Sequence, residues 1–128
     1  MNADGTKNIV DLRAVDFAYG AVPILSGIDL QIAEGEFLGI VGPNAGGKST
    51  LLRLLARLYN PPIGSMFVDG VDLLNLDLET WRKRMAVVPQ RPFLFSDAIA
   101  ANVALEAAPE DAHIRSAVEM AALDPDLE

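Results

Sequence analysis

With 128 residues, 51% apolar, 22% charged and 6% aromatic, the chain has the composition of one folded domain or a piece of one, and not of a disordered segment. Its 18 acidic and 10 basic residues leave a net charge of −8, which disfavours nucleic acid as a partner, and the densest basic run, Arg82-Lys83-Arg84, is short enough to read as a solvated helix face. The lack of cysteine excludes disulfides, thiolate chemistry and cysteine-ligated zinc; with no secretory pattern at the N-terminus and no apolar run near the ~18 residues of a spanning helix, the expected place is the cytosol or the cytosolic side of a membrane partner.

Residues 1–8 are polar and expected to fray. Ile9–Phe17 alternates apolar and polar residues, as a half-buried strand does. Tyr19-Gly20-Ala21 is a turn, Ile28–Ile32 alternates again, and Glu34-Gly35-Glu36 turns once more. These signals predict an antiparallel pair. Phe37–Val41 (FLGIV) is a continuous apolar run, expected to be a strand buried on both faces. After residues 42–48, STLLRLLARLY places Leu51, Leu54, Leu55 and Leu58 at helical spacing, with Asn60-Pro61-Pro62 as the stop. Ser65–Val68 before Asp69-Gly70 predicts a short strand and turn. Asp77–Arg84 has acids first and bases last, the order that the helix dipole favours. Met85–Val88 is expected as a further short strand, and Asp97–Glu106 and Ala112–Leu123 as alanine-rich helices. Asp124–Glu128 reads as a turn.

The segment Gly42-Pro43-Asn44-Ala45-Gly46-Gly47-Lys48-Ser49 matches G-x-x-x-x-G-K-[ST]. Glycines allow backbone N–H groups to point inward around an anion. The helix behind the loop adds its unpaired N–H groups and the positive end of its dipole. Lys48 supplies a full charge for the β- and γ-phosphates of a nucleotide, and Ser49 a hydroxyl for Mg²⁺. A buried strand before the loop and an amphipathic helix after it are the context that this chemistry requires.

Further pieces stand in order around the loop: Phe17-Ala18-Tyr19-Gly20, Ile24-Leu25-Ser26-Gly27-Ile28-Asp29-Leu30, Gly35-Glu36-Phe37, Ser49-Thr50-Leu51-Leu52, Val68-Asp69-Gly70 and Val87-Val88-Pro89-Gln90. Together they resemble the ATP-binding domain of ABC transporters over residues 9 to about 105. The resemblance implies an α/β fold: an incomplete P-loop NTPase core with a parallel sheet (37–90), an N-terminal antiparallel β part (9–36) and the start of a helical subdomain (91–128). It implies ATP and Mg²⁺ as cofactors, with Gly42, Pro43, Asn44, Ala45, Gly46, Gly47, Lys48, Ser49 and Thr50 on the phosphates, Thr50 at the α-phosphate. It further implies Tyr19 as the aromatic stacked on adenine and Gln90 as the Q-loop glutamine, which reaches Mg²⁺ and the attacking water. The implied partners are a transmembrane domain or subunit and a second ATP-binding domain, at the cytoplasmic face of the inner (plasma) membrane.

Two departures from the family pattern matter. Ala45 stands where the family usually has glycine, which narrows backbone freedom there. The sequence also holds no LSGGQ-type signature and no apolar strand ending in Asp-Glu, and its one histidine, His113, follows Gln90 too closely to be the switch histidine. These 128 residues are therefore expected to be the N-terminal part of such a domain and to bind Mg-ATP without efficient turnover. The run Leu94-Phe95-Ser96-Asp97-Ala98-Ile99-Ala100-Ala101-Asn102-Val103 resembles the exporter pattern L-F-S-x-x-I-x-x-N-[IV], whereas GEFLGIVGPN and STLLRLLA resemble metal-ion importer ATPases. The spacing tips the expectation slightly toward exporters. A non-catalytic nucleotide-binding module and a soluble ABC-type ATPase are the alternatives.

Overall fold

The computed structural model describes residues 5–105 and 111–123, and the chain divides into two compact units at the Val87–Val88 link. The expected turn at 124–128, and part of the expected fraying at 1–8, lie outside the described residues. Lys7 is not frayed: its carbonyl accepts the Glu34 N–H and its ammonium pairs with Asp69.

The first unit is built on a four-stranded antiparallel sheet. Strands β1 (Asn8–Tyr19), β2 (Val22–Ala33), β3 (Met66–Val68) and β4 (Val71–Asp72) lie in the order β2-β1-β3-β4. Gly20, at φ 59°, makes the turn between the first two. Both strands are longer than the sequence pattern alone indicates, because β1 is interrupted by a bulge that breaks the alternation. Leu12 pairs with Leu30 and Val15 with Ile28, so two residues of β1 lie against one of β2. Ala14, at φ 43°, is the extra residue, and its N–H is taken by Asp29 Oδ1 at 2.8 Å. Across the hairpin, Asp16 Oδ1 accepts the Gly27 N–H at 2.7 Å. The bulge changes the inward set from Val10 and Leu12 to Val15 and Phe17, which carries the aromatic end of β1 to the same side as the core.

Helix α1 (Lys48–Leu55) lays Leu51 and Leu54 on that face, where they join Leu12, Val15, Leu25, Met66 and Leu73 as the buried core. Each such leucine, removed from water, contributes about 1.5–3 kcal/mol. The helix ends earlier than the prolines require. Arg57 takes the left-handed conformation (φ 50°), its N–H returns to the Leu54 carbonyl, and the Leu58 N–H returns to Arg53 at 2.9 Å. This is a Schellman stop with arginine in the usual glycine position. Leu58 consequently leaves the helical face and is 61% exposed.

The orphan carbonyls at this helix end are taken by α2 (Leu78–Lys83), which follows a single 3-10 turn at Leu73–Asn75. Trp81 Nε1 donates to the Leu55 carbonyl at 2.8 Å, and Arg82 donates to those of Ala56 (3.4 Å) and Arg57 (2.8 Å). Arg82 is therefore a cationic cap on a helix C-terminus, not only part of the solvated face expected from the basic run. Asp77 caps α2 by accepting the Thr80 N–H at 2.8 Å.

Two expected strands carry no ladder. Phe37–Val41 and Met85–Val88 form neither helix nor sheet, and Phe37 is 99% exposed, Val41 93% and Val88 93%. A strand exists only where a neighbour takes its N–H and C=O groups. Among the described residues every sheet pairing is antiparallel and involves β1 to β4. The parallel sheet that these apolar runs predict is thus not formed within the described residues.

The second unit contains α3 (Ile99–Ala104) and α4 (Asp111–Met120). Val118 of α4 is buried, and His113 lies on an exposed face, as expected. Before α3, the Asn102 side chain holds a loop by four hydrogen bonds: it accepts from the Phe95 N–H at 2.7 Å and donates to the carbonyls of Phe95, Asp97 and Ala98.

Candidate functional site

Residues 42–47 run from the exposed end of the FLGIV segment into the N-terminus of α1. The Pro43 carbonyl accepts the Gly46 N–H at 3.1 Å, closing a turn with Asn44 and Ala45 at its corners. Ala45 sits at φ 63°, the third position of a type II turn, where glycine is the usual residue. The departure seen in the sequence is therefore accommodated by a left-handed alanine, at about 1–2 kcal/mol of backbone strain.

Gly47 is the N-cap of α1, at φ 80° and ψ −2°. A Cβ there would stand 2.6 Å from Leu25 Cδ2 and 3.1 Å from the Ile24 carbonyl oxygen. Glycine at this position lets the loop press on β2, which seats the N-terminus of α1 on the core. At Gly46 a Cβ would meet the Pro43 carbonyl oxygen at 3.0 Å. The two glycines thus serve different contacts, one to the sheet and one within the loop.

The N-terminus of α1 has no side-chain cap and no acidic residue in its first turn. By contrast, Asp77 caps α2 and Asp72 caps the 3-10 turn. The first N–H groups of a helix have no intrahelical acceptors, so those of Lys48, Ser49 and Thr50 face the loop with no carboxylate to neutralise them. Lys48 adds its charge to the same place: Nζ donates to the carbonyls of Gly42 at 2.8 Å and Pro43 at 2.6 Å, bridging the loop. Backbone donors, the helix dipole and an ammonium converge on one concave turn, an arrangement that suits a multiply charged anion.

The structure brings Tyr19 to this helix. The Tyr19 hydroxyl lies 3.4 Å from Thr50 Oγ1, and Thr50 is buried. That hydrogen bond, with help from Arg53 and against partial burial, holds the phenol below its usual pKa. Ser49 is exposed on the first turn. Gln90 belongs to the second unit, exposed at a bend after Pro89. Among the described residues no cluster of three or more His, Asp or Glu could hold a metal ion by itself. A divalent cation here would rest on phosphate oxygens with the Ser49 hydroxyl as a protein ligand, the usual way Mg²⁺ is held beside a nucleotide.

Sequence reasoning found no contact for Tyr59 or Trp81 and placed Arg82 only in a solvated helix face. Tyr59 is 40 positions from Tyr19 in the sequence yet its ring lies 5.2 Å from that of Tyr19, and no local pattern announces such a contact. The Trp81-Arg82 pair was visible as residues, but its hydrogen bonds to α1 depend on where the Schellman stop falls.

A family profile described as ABC transporter matches residues 25–127. The chain is 43% identical over 116 residues to an ATP-dependent lipid A-core flippase of Burkholderia orbicola, covering 89% of this chain and 20% of that protein. It is 43% identical over 96 residues to ABC transporter B family member 29, chloroplastic, of Arabidopsis thaliana, covering 73% of this chain and 15% of that one. The solved structure of a bacterial Atm1-family ABC exporter with ATP bound superposes with a TM-score of 0.82 at 35% identity, over 89% of this chain and 20% of its own. The chain spans a fifth or less of the length of these relatives. No helix among the described residues is long and apolar enough to cross a membrane. The chain belongs to the ABC transporter family.

Proposed function

We propose that this chain supplies the phosphate-binding half of an exporter-type ATP-binding domain, and that it holds Mg-ATP between residues 42–50 and Tyr19. The observation that supports this most is the N-terminus of α1: a glycine whose absent side chain seats the loop on Leu25, no acidic residue in the first turn, and Lys48 bridging the loop mouth. In this reading the N–H groups of Gly46, Gly47 and Lys48 wrap the β-phosphate. Lys48 exchanges its two carbonyl contacts for β- and γ-phosphate oxygens. Ser49 would be the protein ligand for Mg²⁺, which would offset phosphate charge. Because the Thr50 hydroxyl is buried against Tyr19, its contribution to the α-phosphate is its backbone N–H. Tyr19 stacks on adenine, and Gln90, by its resemblance to the Q-loop glutamine, is the residue that would act toward Mg²⁺, water and a transmembrane partner.

The relatives are named as a flippase and an exporter, and the spacing from Leu94 to Val103 agrees with that direction of transport. The domain would then sit at the cytoplasmic face of the membrane, paired with a transmembrane part and a second ATP-binding domain. The residues that would polarise water and clamp the γ-phosphate, an Asp-Glu strand end and a signature loop, are not among these 128. In this reading these residues by themselves bind ATP without efficient turnover. The test compares ATP, ADP and AMP by calorimetry with Mg²⁺ present, alongside phosphate release. The reading requires ATP and ADP to bind, AMP to bind far more weakly, and phosphate release to stay at background. Equal affinity for AMP and ATP contradicts the cradle, and sustained hydrolysis that Lys48→Ala abolishes contradicts the lack of turnover.

A further inference from the structure

Three aromatic rings meet where β1 ends and α1 stops. The Phe17 and Tyr19 rings lie 5.2 Å apart at 90°, those of Tyr19 and Tyr59 5.2 Å apart at 73°, and those of Phe17 and Tyr59 5.9 Å apart at 52°. Tyr59 is brought there by the early end of α1. The left-handed Arg57 turns the chain out of the helix, sending Leu58 to solvent and Tyr59 back toward β1. Arg57 is itself fixed by its guanidinium, which donates to the Leu76 carbonyl at 2.9 Å. Tyr59 remains 41% exposed, more than a ring committed only to core packing would be. Its neighbour Tyr19 sits at the end of a strand, next to the Gly20 turn, where a tyrosine held by backbone alone would exchange rotamers.

We propose that Tyr59 is a positioning residue for nucleotide binding, fixing the plane of the Tyr19 ring so that its open face is set to receive a purine. This rests on the reading of Tyr19 as the base-stacking residue. Tyr19 is held by two edge-on ring contacts and by its hydroxyl's link to Thr50 Oγ1. Those contacts come from β1, from the segment after α1 and from the first turn of α1. Edge-to-face aromatic geometry is favourable beyond the area it buries. A ring ordered before binding spares the ligand the loss of freedom that ordering entails, about two- to ten-fold in affinity for one side chain. The contact is chiefly ring to ring, with a weaker hydroxyl link between the two tyrosines, so the aromatic ring is the part that Tyr59 has to keep. The effect is expected at the base, because the ring contacts of Tyr59 are with Phe17 and Tyr19.

The experiment titrates the 128-residue chain and its Tyr59→Ala, Tyr59→Leu, Tyr59→Phe and Tyr19→Ala variants with Mg-ATP and, separately, with inorganic tripolyphosphate and Mg²⁺. Trp81 emission serves as the check on folding. Tyr59→Ala and Tyr59→Leu are expected to raise the Kd for ATP by about three- to ten-fold, to leave tripolyphosphate affinity unchanged, and to be restored by Tyr59→Phe. Tyr59→Leu retains bulk without a ring and stands in if Tyr59→Ala fails to fold. If Tyr19→Ala weakens ATP but neither Tyr59 variant does, the positioning role is overturned and the base-stacking role stands. If Tyr19→Ala also leaves ATP affinity unchanged, the base-stacking reading itself is overturned. Parallel losses for ATP and tripolyphosphate in the Tyr59 variants would make Tyr59 a structural residue of α1 and overturn the proposal.

Discussion

Replacing Gly47 by alanine tests how the loop is held. The added Cβ would stand 2.6 Å from Leu25 Cδ2 and 3.1 Å from the Ile24 carbonyl oxygen. The Leu25 methyl is the end of a flexible side chain, but Leu25 is only 6% exposed and packs in the core with Leu51 and Leu54, so it has little room to yield. The Ile24 oxygen is backbone and is followed directly by the ladder pairing of Leu25 with Phe17. Gly47 also sits at φ 80°, a conformation that costs an L-residue about 1–2 kcal/mol. Overpacking adds about 1–3 kcal/mol, for a total of about 2–5 kcal/mol. That is a large share of the ~5–15 kcal/mol that stabilises an ordinary domain. Gly46→Ala is the control: its Cβ meets only the Pro43 carbonyl oxygen at 3.0 Å, within the loop, so it should disturb the cradle more than the fold. Urea unfolding followed by emission of Trp81, the one tryptophan in the chain, reports both, since its indole is hydrogen-bonded to the end of α1. A Gly47→Ala midpoint equal to that of the parent would refute the packing argument, because it would mean that α1 and its loop can lift from β2 at no cost.

Ala45→Gly should raise stability by about 0.5–1 kcal/mol, the difference between relief of the left-handed strain and glycine's larger loss of freedom on folding; urea melts check this, and a loss of stability would contradict the turn assigned to residues 43–46. Arg82→Met removes the donors to the Ala56 and Arg57 carbonyls and should lower stability by about 1 kcal/mol in the same melts. Asp77 has a pKa held below the usual carboxylate value, chiefly by the hydrogen bond from the Thr80 N–H. Because the folded value is the lower one, its contribution is complete above the ordinary value of about 4 and is lost as pH falls through the folded value. Asp77→Asn keeps the cap but not the charge, so acid melts of that variant should lose this part of the pH dependence while those of the parent retain it.

Local chemistry was legible in the sequence wherever neighbouring residues decide the structure. The turn at Gly20, the Asp69-Gly70 turn and the helices that begin near Lys48 and Asp77 all follow from a few adjacent residues, and all appear where their residue types place them. The bulge at Ala14 was not legible, because it depends on Asp29 of the partner strand accepting one extra N–H. The end of α1 was placed too late. The prolines at 61 and 62 forbid a helix, but the Schellman stop intervenes at Arg57, with the Leu58 N–H returning to the Arg53 carbonyl, and its hold on Arg57 comes from the distant Leu76 carbonyl. Phe37–Val41 and Met85–Val88 show the limit of composition most clearly. Both have the apolar continuity of buried parallel strands, but a ladder needs partners, and none is present among the described residues. Their exposed apolar side chains are the property that the sequence pattern registered.

The central claim is that residues 42–50 form a working anion cradle, and the most direct test is a calorimetric titration of the chain and its Lys48→Ala variant with Mg-ATP. The parent should show saturable binding. Lys48→Ala should lose it while keeping the parent's far-UV spectrum and urea midpoint to within about 1 kcal/mol, since the lysine bonds to exposed loop carbonyls. Equal affinity in parent and variant, or no binding by a folded parent, would contradict the account.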